Sequence, residues 1–223
     1  MKRLLLGAAL AVMAGPALAQ STMTLDDLDL KPKAPTAAPA ATGGGASEME
    51  KCLLDQASCQ NAEFKSSTSF SVDDVVNLGI IDREEVKPAA LGQAGMAGAP
   101  GGAGTAMTLP SIDMEILFDY DSATLRPDQY AKLMQLSEIL KGDKFSAFRF
   151  LFLGHSDAKG DAEYNRTLSQ KRAEAVSAFV EGVSGLSGGR LAATGLGATK
   201  LKDMGDPYGA QNRRVQLVLI PVK

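Results

Sequence analysis

Two stretches of this chain cannot bury a hydrophobic core, and they decide where one can form. Residues 31–46 read KPKAPTAAPAATGGGA and residues 89–106 read AALGQAGMAGAPGGAGTA. Pro, Gly and Ala in these proportions offer almost no apolar side-chain area to offset the entropy of ordering. Both are expected to be linkers. A folded body must therefore come from the segment between them and from the residues after them. The expected organisation is a signal peptide at 1–19, a linker at 20–46, a small Cys-containing segment at 47–88, a second linker at 89–108 and one domain at 109–223.

The signal peptide rests on Lys2 and Arg3, an apolar run Leu4–Met13 broken only by Gly7, and Ala17-Leu18-Ala19 before Gln20. The apolar run is too short for a bilayer of roughly 30 Å, and A-x-A is a cleavage pattern. The expected location is the periplasm, associated with the cell wall and peripheral to the outer membrane. No transmembrane segment is expected in the mature chain. Residues 20–109 carry twelve acidic and six basic side chains, and residues 110–223 carry fourteen and fifteen. Neither half has the basic stripe of a nucleic-acid binder, so nucleic acid is not an expected partner.

Cys52 and Cys59 sit close together in CLLDQASC. In an oxidising compartment this favours a disulfide. Zinc is the weaker reading because no second ligand pair exists, and a redox-active pair is normally more closely spaced. No metal and no cofactor are expected. In the same segment Ser71 is placed to cap a short helix with Val72, Val75, Val76 and Leu78 as its apolar residues and Gly79 as its stop. Some forty residues are marginal for independent folding. The segment is either a partly ordered linker or a docking motif for an envelope protein.

From Ile112 onward strand and helix patterns alternate. Ile112–Phe118 reads as a strand, and Pro127 opens a helix carrying Tyr130, Leu133, Leu136 or Ser137, and Leu140. Phe148–Leu153 (FRFLFL) is apolar at nearly every position, as in a strand buried on both faces. A second helix spans about 162–183, with Leu168, Val176, Phe179, Val180 and Val183 on one face. Strands follow at 191–196 and 214–222. The expected class is α+β, a two-layer βαβαββ sandwich with helices packed on a mixed sheet.

Three motifs stand out within this pattern: ILFDYDSATLRP at 116–127, GHSDAKGDAEYNRTLSQKRAEAV at 154–176 and NRRV at 212–215. Together and in this order they resemble the OmpA-like peptidoglycan-binding domain, over about half the chain. The resemblance implies non-covalent binding of the diaminopimelate residue in the peptidoglycan stem peptide. On it, Asp157 takes the ligand's amino group and Arg172 its carboxylate. Phe118, Asp119, Asn165, Leu168 and Arg213 match positions around the same pocket. Of Arg213 and Arg214, one is expected at the site and the other as a solvated charge.

The chemistry agrees with this. A zwitterion needs one anion and one cation at a fixed spacing, and an arginine fork grips a carboxylate through two parallel hydrogen bonds. By themselves an Asp and an Arg near a helix start are more often an ion pair or a cap. The three motifs shift the balance to binding. His155-Ser156-Asp157 invites comparison with a catalytic triad, but neighbours on a strand point to opposite faces, and no G-x-S-x-G elbow is present. The chain is expected not to be an enzyme. It would link the cell wall to the outer membrane or to an envelope partner. The alternatives are a protein–protein adaptor that has lost ligand binding and, less favoured, a peptidoglycan-cleaving enzyme.

Overall fold

The apolar run at 148–153 forms the centre of the molecule. In the computed structural model, which describes residues 44–66, 68–87, 107–119, 121–186 and 189–223, strand β4 covers Phe148–His155. The signal peptide, nearly all of the first linker and most of the second lie outside the described residues. The other strands of the main sheet are β3 (Ser111–Met114), β5 (Leu191–Gly197) and β6 (Val215–Pro221). The spatial order is β3-β6-β4-β5. β6 runs antiparallel to both β3 and β4, whereas β5 is parallel to β4. That parallel pair requires a crossover, supplied by helix α4 (Ala162–Ser184), with helix α3 (Tyr130–Leu140) beside it. The βαβαββ order and the mixed sheet are as expected.

Alternation along β4 splits its side chains between two cores. Phe150 and Phe152 join Ile112, Met114, Leu217 and Leu219 beneath Leu133, Leu136, Leu140, Val176 and Val180 of the helices. Leu151 and Leu153, with Val218 and Ile220, form the core on the opposite face. Each fully buried aliphatic or aromatic side chain contributes about 1.5–3 kcal/mol relative to exposure, so an uncovered second face would be costly.

What covers that face corrects the expected domain division. Phe70, Val72, Val75, Ile81, Val86 and Leu109 pack on it. They come from the small strands β1 (Phe70–Ser71) and β2 (Thr108–Leu109), which pair antiparallel, and from helix α2 (Val72–Asn77) with the loop after it. Ser71 caps α2 in a capping box with Asp74, and Gly79 takes the left-handed conformation that ends it. Helix α1 (Gly44–Leu54) begins inside the expected linker, and its Met49, Cys52 and Leu53 enter the helix-side core with Cys59 and Phe64. Cys52 and Cys59 are disulfide-bonded. Residues 44–87 are thus part of the same packed body as residues 107–223, not a separate segment. Among the described residues no helix is long and apolar enough to cross a membrane.

Candidate functional site

The site forms where β4 ends and α4 begins. The buried stripe of α4 is Asn165, Ser169, Ala173, Val176 and Val180, whereas Leu168 is half-buried and Val183 is exposed. The stripe is small and polar at its start because the helix lies directly on glycine backbone there. A Cβ on Gly154 would stand 2.0 Å from the Ser169 carbonyl oxygen, and one on Gly195 would stand 2.3 Å from the Gln170 nitrogen. Only glycine permits this approach. It brings residues just after β4 close to the third turn of α4, which carries Arg172.

The loop between the two elements is tied down by its own side chains. Asp157 Oδ1 accepts from the Lys159 amide at 3.0 Å, and Asn165 Nδ2 donates to the Lys159 carbonyl at 2.8 Å. Gly160 has φ +89°, and Asp161 caps α4 by accepting from the Glu163 and Tyr164 amides, both at 2.9 Å. Asp161 therefore serves the helix N-terminus, which leaves Asp157 as the carboxylate turned to the mouth.

Arg172 is half-buried. Its Nε donates to the Ser122 carbonyl at 3.0 Å and its guanidinium lies 5.0 Å from the centre of the Phe118 ring, within cation–π range. Among the described residues no acceptor is hydrogen-bonded to its Nη1 or Nη2. Burial, followed by the nearby Arg213 charge, disfavours the charged form of Arg172, and Asp157 and Asp121 partly offset this. A guanidinium does not lose its proton in a protein.

Asp157 already has a partner. Arg213 Nη1 donates to its Oδ2 at 2.8 Å, with the two side chains 47% and 14% exposed. Asp157, Arg172 and Arg213 together leave one positive charge in excess at the mouth. Behind them lies a cavity of about 80 Å³ lined by Phe118, His155, Arg172, Arg213 and Arg214 with Glu115. That volume admits a carboxylate-sized group. His155 is buried, and burial, with the Arg214 charge adding to it, lowers its pKa to about 3, so the ring is neutral. Ser156 Oγ donates to the Asp157 carbonyl at 2.9 Å. Among the described residues no hydrogen bond joins Ser156 to His155.

The residues expected at the site divide into three groups. Phe118, Arg172 and Arg213 line the cavity, and Asp157, which does not line it, is joined to it through its ion pair with Arg213. Asn165 is buried and braces the 157–160 loop from behind. Asp119 and Leu168 do not line the cavity, and Asp119 is 73% exposed, 3.6 Å from Arg126. The expectation of a solvated arginine is also corrected. Arg214 is buried, its Nε 3.3 Å from Asp113 Oδ2 in an ion pair with both side chains almost wholly enclosed. Arg213 and Arg214 both lie between the 3-10 turn at Ala210–Asn212 and β6, so no strand alternation assigns their directions.

Residues 117–214 match the OmpA family. They form an OmpA family domain. The OmpA domain is 35% identical over 102 residues to the peptidoglycan-associated lipoprotein of Pseudomonas aeruginosa, covering 45% of this chain and 58% of that one. It is 31% identical over 107 residues to outer membrane porin F of the same organism, covering 47% of this chain and 30% of the porin. The chain thus spans less than two thirds of either relative. Among solved structures, the peptidoglycan-associated lipoprotein from Burkholderia pseudomallei is 34% identical, with 47% of this chain and 87% of that chain covered and a TM-score of 0.40. Asp157, Arg172 and Arg213 fall inside the OmpA match, whereas α1, the disulfide, α2 and β3 fall before it.

Proposed function

We propose that this protein binds peptidoglycan non-covalently, by gripping a diaminopimelate residue of the stem peptide between Arg172 and Asp157. The observation that carries the reading is the state of Arg172: charged, half-buried, held at Nε and over the Phe118 ring, and with neither Nη group hydrogen-bonded among the described residues. The ligand carboxylate would enter the small cavity and take both Nη groups. Its ammonium would meet Asp157, sharing that carboxylate with Arg213 or displacing it. Arg213 is 47% exposed in that pair, so its guanidinium can turn to water when the ammonium takes its place on Asp157. Similarity to proteins named for association with peptidoglycan supports the reading.

The expected role is exported and structural, joining the cell wall to the outer membrane or to an envelope protein, with no catalysis. A neutral buried His155 without a hydrogen bond to Ser156 is a poor general base. Co-sedimentation of the full chain with purified peptidoglycan tests this. Wild type should pellet, and the Asp157→Ala/Arg172→Ala double variant should bind at least ten-fold more weakly. Equal pelleting of the two would remove the clamp, and release of soluble fragments would make the protein an enzyme.

A further inference from the structure

Arg213 and Arg214 are neighbours in sequence but are held from opposite sides of the molecule. Arg213 reaches Asp157 at the exposed mouth. Arg214 turns inward, where its Nη2 donates to Thr68 Oγ1 at 3.0 Å and its Nε lies 3.3 Å from Asp113 Oδ2. The Thr68 hydroxyl in turn donates to Gln216 Oε1 at 2.9 Å. Gln216 Nε2 donates to Ser66 Oγ at 2.6 Å and to the Thr68 carbonyl at 2.7 Å. Ser66 and Thr68 thereby fasten the start of β6 at Gln216 from nearly 150 positions earlier in the chain. Ser66, Thr68 and Asp113 all precede the part of the chain that matches the OmpA family, which begins at residue 117.

The physical consequence follows from burial. A guanidinium that is 3% exposed cannot shift without leaving a desolvated charge unpaired, a change that is strongly destabilising. Its backbone is held as well, because the Arg214 carbonyl accepts from the His155 amide at 2.9 Å. The Cα of Arg213 is therefore fixed by what holds Arg214. We propose that Thr68 is a positioning residue for the clamp: its hydroxyl orients Arg214, which sets Arg213 on Asp157 and so shapes the mouth that receives the ligand. This rests on the peptidoglycan-binding reading, and it gives the early segment a part in binding without contact to ligand.

The test uses the full, oxidised chain and a soluble stem tripeptide containing diaminopimelate as probe. Thr68→Val keeps shape and removes the hydroxyl, Thr68→Ser keeps the hydroxyl, and each is combined with Arg213→Ala. Thr68→Val should weaken probe binding about five-fold, the order expected for a lost buried hydrogen bond, and Thr68→Ser should restore it. In the Arg213→Ala background Thr68→Val should cost nothing further. An equal cost in both backgrounds means a general structural role and overturns the proposal. A readout without ligand is the side-chain NMR order of the Arg213 guanidinium. It should fall in Thr68→Val, and if it stays at the wild-type value the proposal is wrong. If wild type fails to bind the probe, the binding reading fails, while the Arg213 signal still decides the role of Thr68.

Discussion

Replacing Gly154 by Ala tests the contact on which the whole site depends. The new Cβ would stand 2.0 Å from the Ser169 carbonyl oxygen and 2.7 Å from its carbonyl carbon. Real Cβ atoms stay beyond about 3 Å, so the α4 backbone must recede by about 1 Å. Recession also stretches the bond from the Gly197 amide to Ser169 Oγ, now 2.9 Å. Overpacking costs about 1–3 kcal/mol and the lost hydrogen bond about 1 more, so the destabilisation should be about 3 kcal/mol. Gly160→Ala is the control. Its Cβ would meet nothing within 4 Å, so only its φ of +89° is penalised, by about 1–2 kcal/mol. Urea unfolding followed by circular dichroism gives both values. Gly154 lies three residues before Asp157 and Ser169 three before Arg172, so Gly154→Ala should also weaken peptidoglycan binding while Gly160→Ala changes it much less. A Gly154→Ala midpoint no lower than that of Gly160→Ala would refute the placement of α4 on β4.

Two further outcomes concern stability. The Cys52–Cys59 bridge closes a loop with a sequence separation of 7, for which the chain-entropy relation gives about 2.5 kcal/mol. Cys52→Ala/Cys59→Ala should lose at least that much in urea unfolding, and a loss under about 1 kcal/mol would mean that α1 is held by packing alone. His155 is neutral in the folded chain, with its pKa lowered from 6.5 to about 3, so the unfolded chain binds the extra proton below pH 6.5. Stability is therefore fully present above pH 6.5 and declines as pH falls toward 3, with a limiting slope of about 1.4 kcal/mol per pH unit. Between pH 6 and 5, above the carboxylate range, His155→Gln should flatten that slope. An unchanged slope would place the histidine elsewhere than in a dry pocket.

The elements read most easily from the sequence were those whose signals are local. The doubly apolar run of β4, the Ser71 cap, the Pro127 helix start and the Gly79 stop each depend on a few adjacent residues, and each stands where its chemistry put it. The first strand was read too long, since after Met114 the chain leaves the sheet and Phe118 makes only a bridge to Leu125. The cover on the second face was hidden for a different reason. It requires Phe70 to pair with Leu109 across a long Gly/Ala-rich stretch, and no periodicity within either segment announces such a partner. FRFLFL itself implied that something must cover Leu151 and Leu153, and the early segment was the available apolar material.

Within the site, motif spacing pointed to Asp157 and Arg172, but it could not show that Arg213 would pair with Asp157. Side chains as long as arginine reach partners that backbone patterns do not specify. Asn165 and Asp161 were near the site in sequence and turned out to serve the loop and the helix cap.

The most direct test of the clamp compares two stem tripeptides that differ only at the third residue. One carries diaminopimelate, with an ammonium and a carboxylate at its far end, and the other carries lysine, which has the ammonium alone. Calorimetric titration into the full chain at moderate salt should give at least ten-fold tighter binding for the diaminopimelate peptide, because a bidentate charge-assisted contact to a half-buried arginine is worth about 1.5–3 kcal/mol. Arg172→Lys should erase most of that preference. Equal affinity of wild type for the two peptides would contradict the zwitterion clamp.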